Sequence, residues 1–203
     1  MLYAYLWLKA LLSEEYATIL ANVLHRLAVE ADRDSAVRFA VASIPGLQDA
    51  SLSKLTPDPV ALDKRLGLFA WTFPPIDGIR VEVGGDNAWQ ITAEPLARGA
   101  IATRDLLLVA GAKYQLVQQL EYGSGSARID ARWSADCVNP SGITRFWEQK
   151  LPASGAVGTY RSELVVPLDC KLVRVTFFAE GPDGQMPATL TLAGLLLSRV
   201  NEI

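Results

Sequence analysis

ARIDARWSADC, residues 127–137, alternates without a break. Ile129, Ala131, Trp133, Ala135 and Cys137 fall on one face, and Arg128, Asp130, Arg132, Ser134 and Asp136 on the other. Successive strand side chains point to opposite faces, so this pattern describes a strand with one apolar and one polar side. The same period of two holds from Leu68 onward. Tyr114, Leu116, Leu120 and Tyr122 alternate with Lys113, Gln115, Gln119 and Glu121. LFAWTF, IRVEV, NAWQIT, AIATRDLLLV, TRFWEQK, TYRSELVV, LVRVTFFA and ATLTLAGLLLSRV are further strand candidates. Turn signals separate them, among them Val83-Gly84-Gly85-Asp86, Gly123-Ser124-Gly125, Asn139-Pro140-Ser141-Gly142 and Gly181-Pro182-Asp183-Gly184. About ten strands at this spacing with no helical pattern between them predict an antiparallel sandwich or barrel. An open sheet of that width would curl or split, so two packed sheets are expected over residues 68–203.

Residues 1–46 follow a different period. Leu2, Tyr5, Leu6, Leu8 and Leu12 recur at steps of three and four, as do Tyr16, Ile19, Leu20, Val23, Leu24 and Leu27. Ser13 before Glu14 and Glu15 marks a helix start, and Asp34 or Ser35 caps a third segment that ends at Ile44-Pro45-Gly46. Three short helices of this kind fit the end of a helical repeat array. Residues 47–67 lose the periodicity at Thr56-Pro57-Asp58-Pro59 and read as a linker.

Half of the 203 residues are hydrophobic and the net charge of −3 comes from interspersed signs. A packed core is expected, and nucleic-acid binding is not, since no basic face is visible. The apolar stretch LYAYLWLKALL is about 11 residues long and carries Lys9, short of the roughly 20 that a membrane span requires. It also lacks the basic region and cleavage site of a secretory signal, so a chain starting at Met1 is expected in the cytoplasm. The abrupt apolar start, with Tyr3, Tyr5 and Trp7, instead reads as a fragment boundary next to a missing helix.

A longer order of signals runs through residues 66–200. FAW opens it. ATRDLLLVAGAKYQL follows, a hydrophobic strand, a glycine turn and a strand beginning at tyrosine. ARWSADC, SELVVPLDCKLVRVTFFA and a closing LAGLLLSRV complete it. This order resembles the jelly-roll carbohydrate-binding-module-like domains, related to the galactose-binding-like sandwiches, and in particular a bacterial variant that follows tetratricopeptide-type helical repeats. The resemblance implies a non-catalytic binding module for a glycan or other extracytoplasmic polymer, in a periplasmic or cell-surface setting. The alternative is a structural or protein-interaction domain that caps the helical repeats, with a protein partner bound through the helical segment.

Catalytic chemistry finds little to stand on. His25 is the only histidine and lies near the apolar stripe of a helix, where it reads as a partly buried helix residue. No Gly-x-Ser-x-Gly occurs, a Cys-His metal site would lack ligands, and the glycine pairs are not followed by helices. Asp130, Asp136, Glu121 and Glu148 could in principle serve as a glycosidase pair, although charges on strands are ordinarily solvated. Asp86 and Asn87 are too few for a calcium site, and no cofactor or metal is expected. Sugar recognition pairs flat aromatic faces with planar polar groups. Trp147, Trp89, Tyr122 and Tyr160, aromatic residues beside polar neighbours, are the candidate ligand-binding residues. Trp71 and Trp133 are assigned to the core. Phe146 and Trp147 should point to opposite faces, and Gln118, on an apolar face, would need a buried partner.

The two cysteines, Cys137 and Cys170, admit three readings: a redox or metal site, a pair of buried thiols or a disulfide. Only Lys171, beside Cys170, is placed in sequence to lower a thiol pKa, which disfavours reactive thiols. A bridge would need Cα atoms within about 7 Å. The resemblance favours the disulfide.

Overall fold

The computed structural model describes residues 71–84, 88–124, 127–139, 142–152, 157–170 and 172–200. The helices expected over 1–46 and the linker 47–67 lie outside them. The described residues form nine strands: β1 (Ile79–Val83), β2 (Trp89–Ala93), β3 (Arg98–Leu106), β4 (Lys113–Tyr122), β5 (Asp130–Asn139), β6 (Gly142–Lys150), β7 (Gly158–Val165), β8 (Val173–Glu180) and β9 (Ala188–Arg199). One sheet has the order β1-β2-β9-β4-β7 and the other β3-β8-β5-β6. Every pairing is antiparallel. Strands β5 and β6 pair, as do β4 and β7, β3 and β8, and β2 and β9. The chain is thus one long hairpin with its tip between Asn139 and Gly142, wrapped so that successive pairs alternate between sheets. That is the topology of a jelly roll, with β1 added at the edge.

The described part of LFAWTF, residues 71–73, contributes a single bridge rather than a strand. Within its described part, Thr72 bridges Thr103, and Phe73 is followed by Pro74 and Pro75. Proline has no N–H to give a ladder, so pairing cannot propagate beyond the bridge.

Alternation sets which face is buried. Ile129, Ala131, Trp133, Ala135 and Cys137 all point into the core, as do Tyr114, Leu116, Leu120 and Tyr122. Trp71 meets Trp89 edge-on at 5.0 Å, Trp133 packs 4.5 Å from Phe177, and Trp89 lies 6.4 Å from both Trp133 and Phe177. Trp89 belongs to one sheet and Trp133 and Phe177 to the other, so these rings join the two layers. Gln118, buried on β4, accepts a 2.7 Å hydrogen bond from Trp133 Nε1. The one amide on an apolar face therefore has the partner that burial demands.

The polar side of the four-stranded sheet is covered by its own ion pairs. Arg174 donates to both oxygens of Asp105, at 2.8 and 3.0 Å. Arg145 donates to Asp136 at 3.0 Å and to Glu148 at 3.0 Å. Arg132 and Arg145 both lie over the Phe178 ring, at 4.8 and 5.9 Å from its centre. Ser134 and Asp136, expected on the polar face, are buried in this layer, as is Thr176 of β8.

Cys137, near the end of β5, is joined in a disulfide to Cys170, in the segment leading to β8, with Cα atoms 5.5 Å apart. It closes the β6–β7 arm of the long hairpin. Removing the bridge frees a loop of roughly 34 residues in the unfolded chain, a loss on the order of 3.8 kcal/mol in the chain-entropy account. Cys137→Ala with Cys170→Ala should therefore lower the urea unfolding free energy by about 3 to 4 kcal/mol. A thiol titration of the unreduced wild type should find both cysteines blocked; two reactive thiols would contradict the pairing.

Candidate functional site

Three of the four aromatic candidates gather on one side of the sandwich. Strands β6 and β7 are the outermost strands of their respective sheets on that side, and they are consecutive in the chain. Trp147 lies on β6 and Tyr160 on β7, both half-buried against the margin of the core. Tyr160 pairs in register with Gln118, whose amide binds Trp133. Trp147 pairs with Ala135, two residues from Trp133. Both rings thus sit on edge strands against the core margin, and the exposed Glu148, Gln149, Thr159 and Arg161 are their neighbours in the chain.

Trp89 takes no part. It is 0% exposed, with Trp71 and Phe73 against it at 5.0 and 5.2 Å, so it offers no face to a ligand. Its polar neighbour Gln90 points to the other side of β2, and Trp89, Ile91 and Ala93 share the inward face. The period of two already carried that information. Phe146 and Trp147 also depart from expectation. The register slips on β6 so that Asp136 pairs with Arg145 and Ala135 with Trp147, leaving Phe146 as the extra residue of a bulge. A bulge re-aims neighbouring side chains, and both rings end up half-buried.

Tyr122 closes the end of β4. Its hydroxyl donates to the Pro152 carbonyl at 2.7 Å, which ties β4 to the segment between β6 and β7. Burial, together with the neighbouring Tyr160 and Asp130, pushes its phenol above the usual value, and Arg128 partly opposes this.

Beyond Tyr122 lies a groove of about 520 Å³ that sequence reasoning missed, bordered by Arg128, Asp130, Glu180, Asp183, Gln185 and Met186. Arg128 donates to the carbonyl of Gly123, next to Tyr122, at 3.3 Å. Asp130 and Glu180 are register partners on β5 and β8. The far wall is set by Gly181, whose N–H donates to Ala97 O at 2.7 Å. A Cβ at position 181 would run into the Glu94 carbonyl oxygen, so only glycine lets the two loops approach this closely. Gly181-Pro182-Asp183-Gly184 reads in sequence as a turn and nothing more. Its meeting with Asp130 depends on long-range pairing that local patterns do not encode.

The four carboxylates weighed for catalysis are dispersed. Asp136 and Glu148 share Arg145, Glu121 lies on the other sheet, and Asp130 borders the groove. Among the described residues, no group of three or more His, Cys, Asp or Glu side chains is placed to hold a metal, and no helix is long and apolar enough to cross a membrane.

A phenol whose pKa is raised in the fold contributes stability below its ordinary value near 10 and loses it as pH rises through the folded value. Tyr122→Phe should cost about 1 kcal/mol near pH 7 through the lost Pro152 hydrogen bond, yet lose less stability than wild type above about pH 10. Urea unfolding at both pH values reads the difference. Parallel losses in the two proteins would contradict this assignment.

No family model matches the chain, and no curated protein matches it. Solved structures resemble it in shape. A carbohydrate-binding module of family 4 (CBM4) is 15% identical with a TM-score of 0.47, over 64% of this chain and 87% of that one. The enzymatically active domain of tailspike protein 4 of bacteriophage CBA120 is 10% identical with a TM-score of 0.45, over 64% of this chain and 19% of that one. The module TmCBM61, solved with β-1,4-galactotriose, is 10% identical with a TM-score of 0.43, over 64% and 88%. At these scores the likeness assigns no activity, and the jelly-roll description rests on the strand pairing itself.

Proposed function

We propose that this domain is a non-catalytic binding module whose ligand is a glycan, contacted along the β6–β7 edge. The observation that carries the reading is that two partly buried aromatic rings, Trp147 and Tyr160, lie on the edge strands β6 and β7. Sugar rings present C–H faces that pack on aromatic faces and hydroxyls that bond to planar polar groups. Gln149, two residues from Trp147 on the same side of β6, supplies such a group, and the groove beyond Tyr122 adds Asp130, Asp183 and Gln185. The outer face of the four-stranded sheet is a poorer contact surface, because its arginines and carboxylates already bind each other. An extracytoplasmic polymer as ligand is consistent with the disulfide, which persists in oxidising compartments.

A second reading, a protein-interaction domain, is favoured by one loop. Leu96 is 70% exposed and held at φ 63°, a left-handed conformation that usually selects glycine. It follows Pro95 in a turn closed by Ala97 N–H to Glu94 O, and its own N–H donates to Pro182 O beside the exposed Met186. An apolar side chain displayed on a strained turn suits a protein contact.

The full chain should be screened on a glycan array, with xylan oligosaccharides and β-1,4-galactotriose as the first soluble probes. For a retained glycan, Trp147→Ala and Tyr160→Ala should each weaken binding at least about tenfold by calorimetry, and Trp89→Phe should leave it unchanged. An array with no retained glycan, or alanine variants that bind as wild type does, sinks the glycan reading. The empty array would leave the Leu96 loop as the better lead.

A further inference from the structure

Arg104 is a charged residue in the wrong place for a sandwich strand. On β3 it shares its face with Ala102 and Leu106, both core residues, and pairs in register with Val175. It is 1% exposed, and Nε, Nη1 and Nη2 all lack a hydrogen-bond partner among the described residues. Its guanidinium carbon lies 5.9 Å from the centre of the Trp71 ring. Trp71 is itself buried, and its Nε1 also lacks a partner. Four buried donor nitrogens on two neighbouring side chains thus lack a hydrogen-bond partner among the described residues, and the guanidinium has only the indole ring over which it lies. Burial draws the guanidinium pKa down to about 10, which still leaves it protonated at neutral pH. Packing alone does not account for this residue, because an unpaired buried charge is worse for stability than an apolar chain of similar volume.

Donors of this kind suit a planar anion. A guanidinium binds a carboxylate through two parallel N–H···O bonds, and an indole N–H can supply a third. The site is also at a sheet edge. β3 is the outer strand of its sheet, and Trp71 is held there by the short bridge between Thr72 and Thr103. Access to the guanidinium requires Trp71 to move away from Trp89 and Trp133, a local opening at the bridge rather than global unfolding. We propose that the Arg104 guanidinium and the Trp71 indole N–H form a binding site for a small carboxylate anion at the β3 edge. It lies on the sheet edge opposite Trp147 and is independent of the glycan reading.

The test uses the full chain, isotopically labelled, titrated with sodium formate and, at matched ionic strength, with sodium chloride. The Arg104 Nε–H and Trp71 Nε1–H signals, assigned with Arg104→Met and Trp71→Phe, should shift saturably with formate and much less with chloride. The melting temperature of wild type should rise by about 3–6 °C at a tenfold excess of formate over its dissociation constant. Arg104→Met should lose that formate-dependent rise. Shifts that never saturate, equal responses to the two salts, or the same formate-dependent rise in Arg104→Met would overturn the proposal. Should Arg104→Met fail to fold, the wild-type titration decides alone, with the Arg104 signals assigned by triple resonance.

Discussion

The hydrogen bond from Trp133 to Gln118 joins the two sheets at the centre of the molecule. Trp133 comes from the four-stranded sheet and Gln118 from the five-stranded one, and both are buried. An indole N–H without an acceptor there would carry a desolvation penalty of about 1–3 kcal/mol. The bond therefore sets how the layers register against each other. Around it Trp89, Phe177 and Trp71 close in as edge-on and tilted ring contacts, the geometry that aromatic quadrupoles prefer. With three of the tryptophans engaged in this way, Trp147 is the one among the described residues left at the margin.

Period-two patterning made most of the sandwich legible. The inward sets on β4 and β5 followed directly from alternation, and so did the need for a partner at Gln118. Legibility failed where a residue's neighbours across the sheet mattered more than its neighbours in the chain. Trp89 looked available because polar residues flank it, yet alternation turns those residues outward. Phe146 and Trp147 could not be assigned from alternation, because the bulge on β6 resets the parity between Ala135 and Asp136. LFAWTF had the composition of a strand, but Pro74 and Pro75 stop its described part from pairing beyond the Thr72 bridge. Ser134 and Asp136 sit on a polar face as alternation requires, and both are buried, with Arg145 of β6 bound to Asp136. The groove was invisible for the same reason, since Asp130 and Glu180 become neighbours only through the pairing of β5 with β8.

The same topology that builds the core also allocates the surface. Nested pairing places the middle of the chain, β6 and β7, at one edge of both sheets and β3 at the opposite edge of its own sheet. The four-stranded sheet spends its charged face on internal ion pairs, with Asp136 foremost in keeping the Arg145 guanidinium protonated. Polar groups bound to each other in this way are poor at capturing a ligand, because a ligand must first replace existing bonds. Edges differ. Their strands have one unpaired side, and side chains there face only part of a core. Trp147 and Tyr160 at one edge and Arg104 at the other are the consequences. All three are partly or wholly within the sandwich, and the buried guanidinium of Arg104 has no hydrogen-bond partner among the described residues.

The most direct measurement follows the indole N–H signals of the full chain by NMR while a glycan retained on the array is added. Binding at the β6–β7 edge predicts a saturable shift of the Trp147 Nε1–H signal, with those of Trp89 and Trp133 unmoved. A glycan that binds while leaving the Trp147 signal in place would contradict the assignment of that edge.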